Sequence, residues 1–396
     1  MSLSSLLQRF SEPETLKMAK LGRELRSQGI DVIDLSLGEP DFNTPEHIKQ
    51  AAIKAIQDNW SHYTPVPGLP DVREAVCTKL KRDNNLDYQP ANIVVSTGAK
   101  QSLANAILAV ADDDEEVIIP TPYWVTYSEL VKIARAKVVE IRSTVENGFK
   151  ISPAELEAAI TPKTRAFLFS SPCNPSGAVY SHEELAGLAE VFKKYPQITI
   201  IADEIYEYIN YVGSHASIAS FDELKDRVIL VNGLSKGFAM TGWRIGYTAS
   251  TVEIAKAMEK LQGQITSATC SIAQKAAVTA LTSDITPSLE MTKEFARRRK
   301  RVLELLKEIP GIHCNEPEGA FYVFPDMSSY YGKKDGEEVI RDSADLCMYL
   351  LNKAHVSSVM GAAFGEPNCV RFSYANSLEN IEKAWDRIKN ALAKLN

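Results

Sequence analysis

The 396-residue sequence has no C-x-x-C pair; its six cysteines (Cys77, Cys173, Cys270, Cys314, Cys347 and Cys369) are scattered singly along the chain. That spacing argues against a zinc site and against a disulfide framework, and leaves free thiols in a reducing compartment as the default. Positive charge is in short supply too. Lys and Arg number 44 against 51 Asp and Glu, and the net charge of -7 argues against a general nucleic-acid binder. No apolar run approaches the roughly 18 residues of a membrane span. The opening Met1–Phe10 lacks the basic start and apolar core of a secretory signal. The cytoplasm is therefore the expected location. The two dense charge runs do not change this. Arg297–Arg301 falls in a helical pattern and reads as a solvated face, and Asp112–Glu116 reads as an exposed acidic turn. Hard metals need oxygen ligands at spaced positions, so no metal site is expected there.

What remains is a globular composition, 45% hydrophobic and 24% charged, in a chain long enough for two domains or one large one. Short apolar runs alternate with helical patterns through its middle. Strands are predicted at 92–96, 116–119, 166–169, 198–201 and 228–231, with helices over about 100–111 and 125–134. Another helix opens at Ser181, where Ser181 and Glu184 have capping-box spacing. Continuous Val/Ile/Leu runs suit strands buried on both faces, and their alternation with helices predicts a mainly parallel α/β sheet. The last third differs. A long charged helix over about 287–309 is followed by short strand-like pieces at 320–324, 356–359 and 369–373, and by a final amphipathic helix from about Leu378. This predicts a second, smaller α+β domain, which the first 40 or so residues join. No repeat or low-complexity linker is evident.

In an open α/β sheet, ligands bind beyond the carboxyl ends of the strands. Those ends carry Gly98-Ala99-Lys100, Pro122-Tyr123-Trp124, Asn174, Asp203 with Tyr206, and Ser235-Lys236. Singly, each has a plain structural role: Asn174 as a turn residue, Asp203 as a helix cap, Gly98 as a turn, Trp124 and Tyr206 as core aromatics. Their recurrence at successive strand ends reads as one pocket lining.

The stretch Val231–Tyr247 admits three readings. Gly233-Leu-Ser235-Lys-Gly237 fits the G-x-S-x-G hydrolase turn, and Ser235, Asp326 and His355 follow the chain order of a hydrolase triad. But that turn must lead into a helix, and Gly237, Gly242 and Gly246 make a poor one. A P-loop fails because Trp243-Arg244 stands where Lys and Ser/Thr are required. The third reading takes Lys236 as the reactive group. A lysine condenses with an aldehyde cofactor if its pKa falls from about 10.4 toward neutrality. Pyridoxal phosphate is such an aldehyde, and it needs a carboxylate at its ring nitrogen. Asp203 can supply that. Tyr206 can meet the ring hydroxyl, the N–H groups at Gly98-Ala99-Lys100 with Arg244 can hold the phosphate, and Trp124 can stack on the ring.

With Asn174-Pro175-x-Gly177, Asp203-x-x-Tyr206 and Ser235-Lys236 followed by Arg244, the chain resembles the fold-type I, class I aminotransferases. Gly38–Phe42, Tyr63-Thr64-Pro65, Pro122-Tyr123-Trp124, Phe238–Tyr247 and Arg371–Ala375 are similar to the prokaryotic aspartate aminotransferases of subgroup Ib. The match covers nearly the whole chain. It implies a large domain over 45–289 with a mainly parallel seven-stranded sheet, and a small domain from 1–44 and 290–396. It implies that Lys236 carries pyridoxal 5'-phosphate and moves the substrate proton, and that Asp203 holds the ring nitrogen. Asn174 and Tyr206 would contact the ring oxygen, and Ser235 and Arg244 the phosphate. Tyr63 would reach in from a partner subunit, making a homodimer with shared sites. Arg371 would clamp the α-carboxylate, helped by Gly38, Asn174 and Trp124.

The implied reaction moves an amino group from L-aspartate to 2-oxoglutarate in ping-pong fashion. An aromatic or prephenate aminotransferase on the same scaffold is the alternative. For the distal carboxylate, Lys100 with Thr15 is the candidate pair, and a phosphate-neighbour or surface role for Lys100 stands beside it. Glu12 and Glu14 would repel a dicarboxylate unless they face solvent.

Lys236 and Ser235 are separable by labelling. Borohydride should trap the cofactor on Lys236, and Lys236→Ala should be colourless and inactive. Labelling of Ser235 by a fluorophosphonate, or normal turnover by Lys236→Ala, would overturn the lysine reading.

Overall fold

In the computed structural model, which describes residues 4–396, one sheet of seven strands forms the centre of the chain. The strands are β1 (Ile93–Ser96), β2 (Glu116–Pro120), β3 (Lys137–Ile141), β4 (Thr164–Ser170), β5 (Thr199–Asp203), β6 (Val228–Gly233) and β7 (Gly246–Ala249). Their order is β1-β7-β6-β5-β4-β2-β3. The pairs within β6-β5-β4-β2-β3 are parallel, and β7 runs antiparallel to both of its neighbours.

Successive residues of a strand face opposite sides of the sheet. Here the two sides feed separate cores. Ile93, Val95, Phe167, Ile200 and Leu230 join one, with the helices Pro70–Asn84, His182–Lys194 and Ser271–Thr282. Val94, Leu168, Ile201, Ile229 and Val231 join the other, with the helices Ala99–Val110, Thr126–Ile133 and Val252–Ile265. Burial on both faces is why these strands read as unbroken apolar runs. Helix His182–Lys194 opens as predicted: Glu184 N donates to Ser181 Oγ at 3.1 Å, and Ser181 N donates to Glu184 Oε2 at 2.7 Å.

Two strands escaped the sequence pattern. β3 lies at the sheet edge with Lys137 and Glu140 exposed, so its apolar run is interrupted. β7 is Gly-Tyr-Thr-Ala, too short and too polar to stand out. The reversal of β7 matters for function. It starts at the edge where the other strands end, so the chain that leaves β6 through Ser235 and Lys236 returns to the same edge at Arg244.

A third core is built from the helices Thr286–Lys307 and Leu378–Leu392 packed on short strands, with Phe295, Val302, Tyr322, Phe372, Trp385 and Ile388 inside. Val370–Ser373 pairs antiparallel with both Val359–Met360 and Tyr322–Val323. The N-terminal strand Ile33–Asp34 pairs parallel with Val356–Ser357 of the C-terminal elements. Residues 1–3 lie outside the described residues. The basic run corrects one expectation. Arg298 is not solvated: it is buried, ion-paired to Asp41 at 2.7 Å and to Glu294 at 2.9 Å, and packed over Phe42 and Phe295. Helical periodicity turns one residue of any such run inward. The neighbouring Arg297, Arg299 and Arg301 pair with Glu294, Glu316 and Glu382.

β7 passes very close to the start of helix Ala99–Val110. A Cβ on Gly246 would lie 2.2 Å from Ala99 N and 2.4 Å from Gly98 C, both backbone atoms that cannot swing away. Gly246→Ala should therefore cost about 1–3 kcal/mol or more. It should lower the melting temperature and displace the helix N-terminus. An unchanged melting temperature would show that the two segments can part.

Candidate active site

The strand ends converge on one cavity of about 260 Å³. Among the residues that line it are Lys236, Asp203, Asn174, Tyr206, Ser235, Arg244 and Arg371, with Gly38, Ala99, Lys100 and Trp124. Tyr63 is not among the lining residues and is fully exposed on the surface.

Lys236 donates from Nζ to the Gly38 carbonyl. Its pKa is lowered to about 8, chiefly by burial; the positive charges of Arg371 and Arg244 add to this, while Glu39 and Asp203 oppose it. The amine is thus within reach of its neutral, nucleophilic form near neutral pH.

Asp203 ends β5 and is buried. Tyr127 Oη donates to its Oδ2 at 2.7 Å and Ile205 N to its Oδ1 at 3.2 Å. Burial pushes its pKa up to about 6, against the pull of those two hydrogen bonds, so the carboxylate is ionised at neutral pH. Tyr127 escaped the sequence reading. Its signal was its place three residues beyond Trp124, on the helix that leaves the same strand end, where its ring meets Trp124 edge-on at 5.8 Å.

One end of the cavity is bounded by the start of helix Ala99–Val110. Gln101 N donates to the Gly98 carbonyl at 3.0 Å, while the N–H groups of Ala99 and Lys100 precede the helical ladder at the positive end of the helix dipole. Gly98 caps it at φ +85°, and a Cβ there would lie 2.2 Å from Arg244 Nη2. Only glycine lets the guanidinium approach this closely. Arg244 is held by the Thr241 carbonyl at 2.9 Å, in a left-handed conformation of its own at φ +57°.

At the other end Arg371 is almost completely buried. Nη1 donates to Asn174 Oδ1 at 3.0 Å and Nη2 to the Ser36 carbonyl at 2.5 Å, while Nε has no partner. Its guanidinium lies over the Tyr322 ring at 4.6 Å and the Phe364 ring at 5.0 Å. Among the described residues its hydrogen-bond partners are a neutral amide and a backbone carbonyl. A buried cation so placed is suited to a carboxylate.

The hydrolase constellation does not assemble. Ser235 lines the cavity, but Asp326 and His355 do not. Asp326 accepts from Ser328 N and Oγ, and His355 follows the helical segment Leu350–Ala354.

Behind Asp203, Glu204, Glu207 and His215 come close enough to suggest a cation site. The ammonium of fully buried Lys79 already pairs with Glu207, whose oxygens also accept from Asn84 and Asn232. Glu204 Oε1 accepts from Ser217 at 2.6 Å, and its charge raises the His215 pKa against the effect of burial. The cluster therefore carries its own counter-charge.

The family model for class I and II aminotransferases matches residues 30–388. The chain is 44% identical to an aspartate/prephenate aminotransferase of Nitrosomonas europaea, over 99% of this chain and 100% of that one. It is 43% identical to an aspartate aminotransferase of Bacillus subtilis, over the full length of both. Among solved structures, the aspartate aminotransferase of Rhizobium meliloti superposes with a TM-score of 0.96 at 42% identity, covering all of both chains. That of Thermus thermophilus with maleate gives 0.93 at 39% identity, covering 99% of this chain and 100% of that one.

Fold and cavity thus define a pyridoxal-phosphate-dependent transaminase. The chain belongs to the class I and II aminotransferases.

The site's own chemistry fits the cofactor. A phosphate cradle that a Cβ would fill, an ionised buried carboxylate and a lysine of lowered pKa stand around one cavity. Cofactor-free protein should take up pyridoxal phosphate faster as pH rises, with a midpoint near 8, because the neutral amine is the nucleophile. Stopped-flow absorbance would measure this. A midpoint near the ordinary lysine value of about 10.4 would show that the pocket does not perturb Lys236.

Proposed function

We propose that the enzyme transfers the amino group of L-aspartate to 2-oxoglutarate, giving oxaloacetate and L-glutamate. The observation that carries this is the disposition of cations around the cavity. Arg371 waits for a carboxylate at one end, and Lys100 and Thr15 line the same cavity as candidates for a second. The Lys100 ammonium sits 4.9 Å over the Trp124 ring, and burial and Arg244 lower its pKa. Glu12 and Glu14 are not among the residues lining the cavity, and Glu14 pairs with Lys17 at 3.5 Å, which offsets its charge. The Thermus relative was crystallised with maleate, itself a dicarboxylate. Prephenate also carries two carboxylates, and the paired name of the Nitrosomonas relative favours it as a second acceptor.

In this reading Arg371 binds the α-carboxylate through its two terminal nitrogens, with Asn174 fixing the guanidinium plane and Gly38 and Trp124 bounding the substrate. Asp203 holds a proton on the ring nitrogen, Tyr206 and Asn174 face the ring oxygen, and Trp124 faces the ring. Ser235, Arg244 and the N–H groups of Ala99 and Lys100 would bind the phosphate, while the Gly98 N–H is already donated to the Ser96 carbonyl at 2.8 Å. The cofactor supplies the electron-accepting ring that takes up the charge left when the substrate Cα loses its proton. Lys236 Nζ accepts that proton and holds it until it is returned.

Fully exposed Tyr63 is read as serving a second subunit, so the working form is a homodimer with shared sites. The three cores support a large domain over 45–289 and a small domain from 1–44 and 290–396; Ile205, Tyr206 and Ile209 of the pocket loop pack into the latter's core. None of the described helices is long and apolar enough to cross a membrane, and the six cysteines are free, in keeping with a cytoplasmic place.

Two substitutions test the assignment together. Arg371→Ala should raise KM for every amino donor, since all share the α-carboxylate. Lys100→Met should raise it only for aspartate and glutamate, by about 1.5–3 kcal/mol, on the order of tenfold to a hundredfold. If Lys100→Met instead weakens cofactor binding and spares donor preference, Lys100 is a phosphate neighbour. If Arg371→Ala affects only dicarboxylic donors, Arg371 is the distal clamp.

A further inference from the structure

Tyr322 was absent from the sequence reading, yet it lines the cavity beside Arg371 and Tyr206. It is fully buried, and its hydroxyl oxygen lies 2.7 Å from that of Tyr206. As it stands, either hydroxyl can be the donor. A phenol has one proton to give and two lone pairs to accept with. Once Tyr206 donates into the pocket, its proton is committed, and the bond between the two tyrosines can persist only with Tyr322 as donor.

The surroundings hold Tyr322 to that role. The Arg371 guanidinium sits over its ring at 4.6 Å, which favours a polarised hydroxyl. The Tyr206 ring meets it edge-on at 5.9 Å, and Phe321 packs against it at 4.8 Å. Gly38 leaves the space its oxygen occupies, for a Cβ there would stand 2.6 Å from Tyr322 Oη. Charged and titratable groups face the pair from several segments: Arg371 from the C-terminal sheet, Asp203 from β5, and Glu39 from the N-terminal segment. Burial raises the pKa of both phenols, so each keeps its proton at neutral pH.

We propose that Tyr322 is a positioning residue that donates its phenolic proton to Tyr206, so that the Tyr206 proton is directed to the ring oxygen of the cofactor, and that Gly38 is kept free of a side chain to admit the Tyr322 hydroxyl. This rests on the pyridoxal phosphate reading of the cavity. Each hydrogen bond in such a chain polarises the next, so Tyr206 is a stronger donor with Tyr322 behind it. Stronger donation stabilises the ring oxygen as an anion, and the protonated form of the neighbouring Lys236-bound nitrogen loses ground.

The test is the pH titration of the visible absorbance of the holoenzyme, in the wild type and in Tyr322→Phe, Tyr206→Phe and the double variant. Tyr322→Phe keeps the ring and removes only the hydroxyl. It should raise the midpoint by about half a pH unit, roughly a threefold gain in proton affinity. Tyr206→Phe should raise it further, and the double variant should match Tyr206→Phe alone, because Tyr322 acts through Tyr206. An unchanged midpoint in Tyr322→Phe, or additive shifts in the double variant, would overturn the proposal while leaving the cofactor assignment intact. A wild-type protein that shows no visible band with pyridoxal phosphate, and no borohydride trapping on Lys236, would overturn the cofactor reading itself.

Discussion

Surplus positive charge in a partly buried space governs this cavity. Lys100, Lys236, Arg244 and Arg371 all line it, and of the carboxylates only Asp203 does. Glu39 acts on Lys236 from nearby. Like charges in a poorly solvated site raise one another's energy, and proteins relieve this by shifting pKa values or binding anions. Both outlets are visible here. Lys236 and Lys100 yield their protons more readily than an ordinary lysine. The arginines favour anions at two places, Arg244 beside the helix N-terminus and Arg371 against Asn174. A molecule with a phosphate, or with a carboxylate beside an amine, meets those demands.

The second requirement is that Asp203 keep its charge although it is buried. Two hydrogen bonds, from Tyr127 and from the Ile205 backbone, work toward that end, and Glu204 next to it in sequence works against it. The layer beneath limits the damage: His215 and Ser217 face Glu204, and Lys79 faces Glu207. Removing one partner of such a buried network leaves a bare charge and is more harmful than the pair is helpful. The acidic residues flanking Asp203 and Tyr206 in sequence are thus tied to the opposite side of the loop, away from the cavity.

Much of this was legible in the residues. Strands buried on both faces wrote themselves as apolar runs, and the rule that ligands gather beyond strand ends brings Gly98, Trp124, Asn174, Asp203 and Lys236 to one place from the sequence alone. What escaped has physical reasons. β3 is an edge strand with an exposed residue on each face, Lys137 and Glu140, and β7 is four small or polar residues whose pairing is decided by its neighbours. Tyr127 and Tyr322 act through hydroxyls pointing inward from segments that look like ordinary core. Arg298 was hidden in a run of like charges in which only the helical phase tells which one is buried. Tyr63 marks another limit, because one chain alone does not bring it to its own cavity.

The excursion between β6 and β7 is closed at its neck by a hydrogen bond from Leu234 N to the Ile245 carbonyl, 3.1 Å long. Lys236 and Arg244 both belong to this clasp, whereas Arg371, Thr15 and Tyr322 come from chain that packs separately. One short closed loop thereby tethers the lysine to the arginine, while Arg371 and Tyr322 reach the same cavity from the C-terminal elements, so the cavity wall depends on two separately packed cores meeting at it.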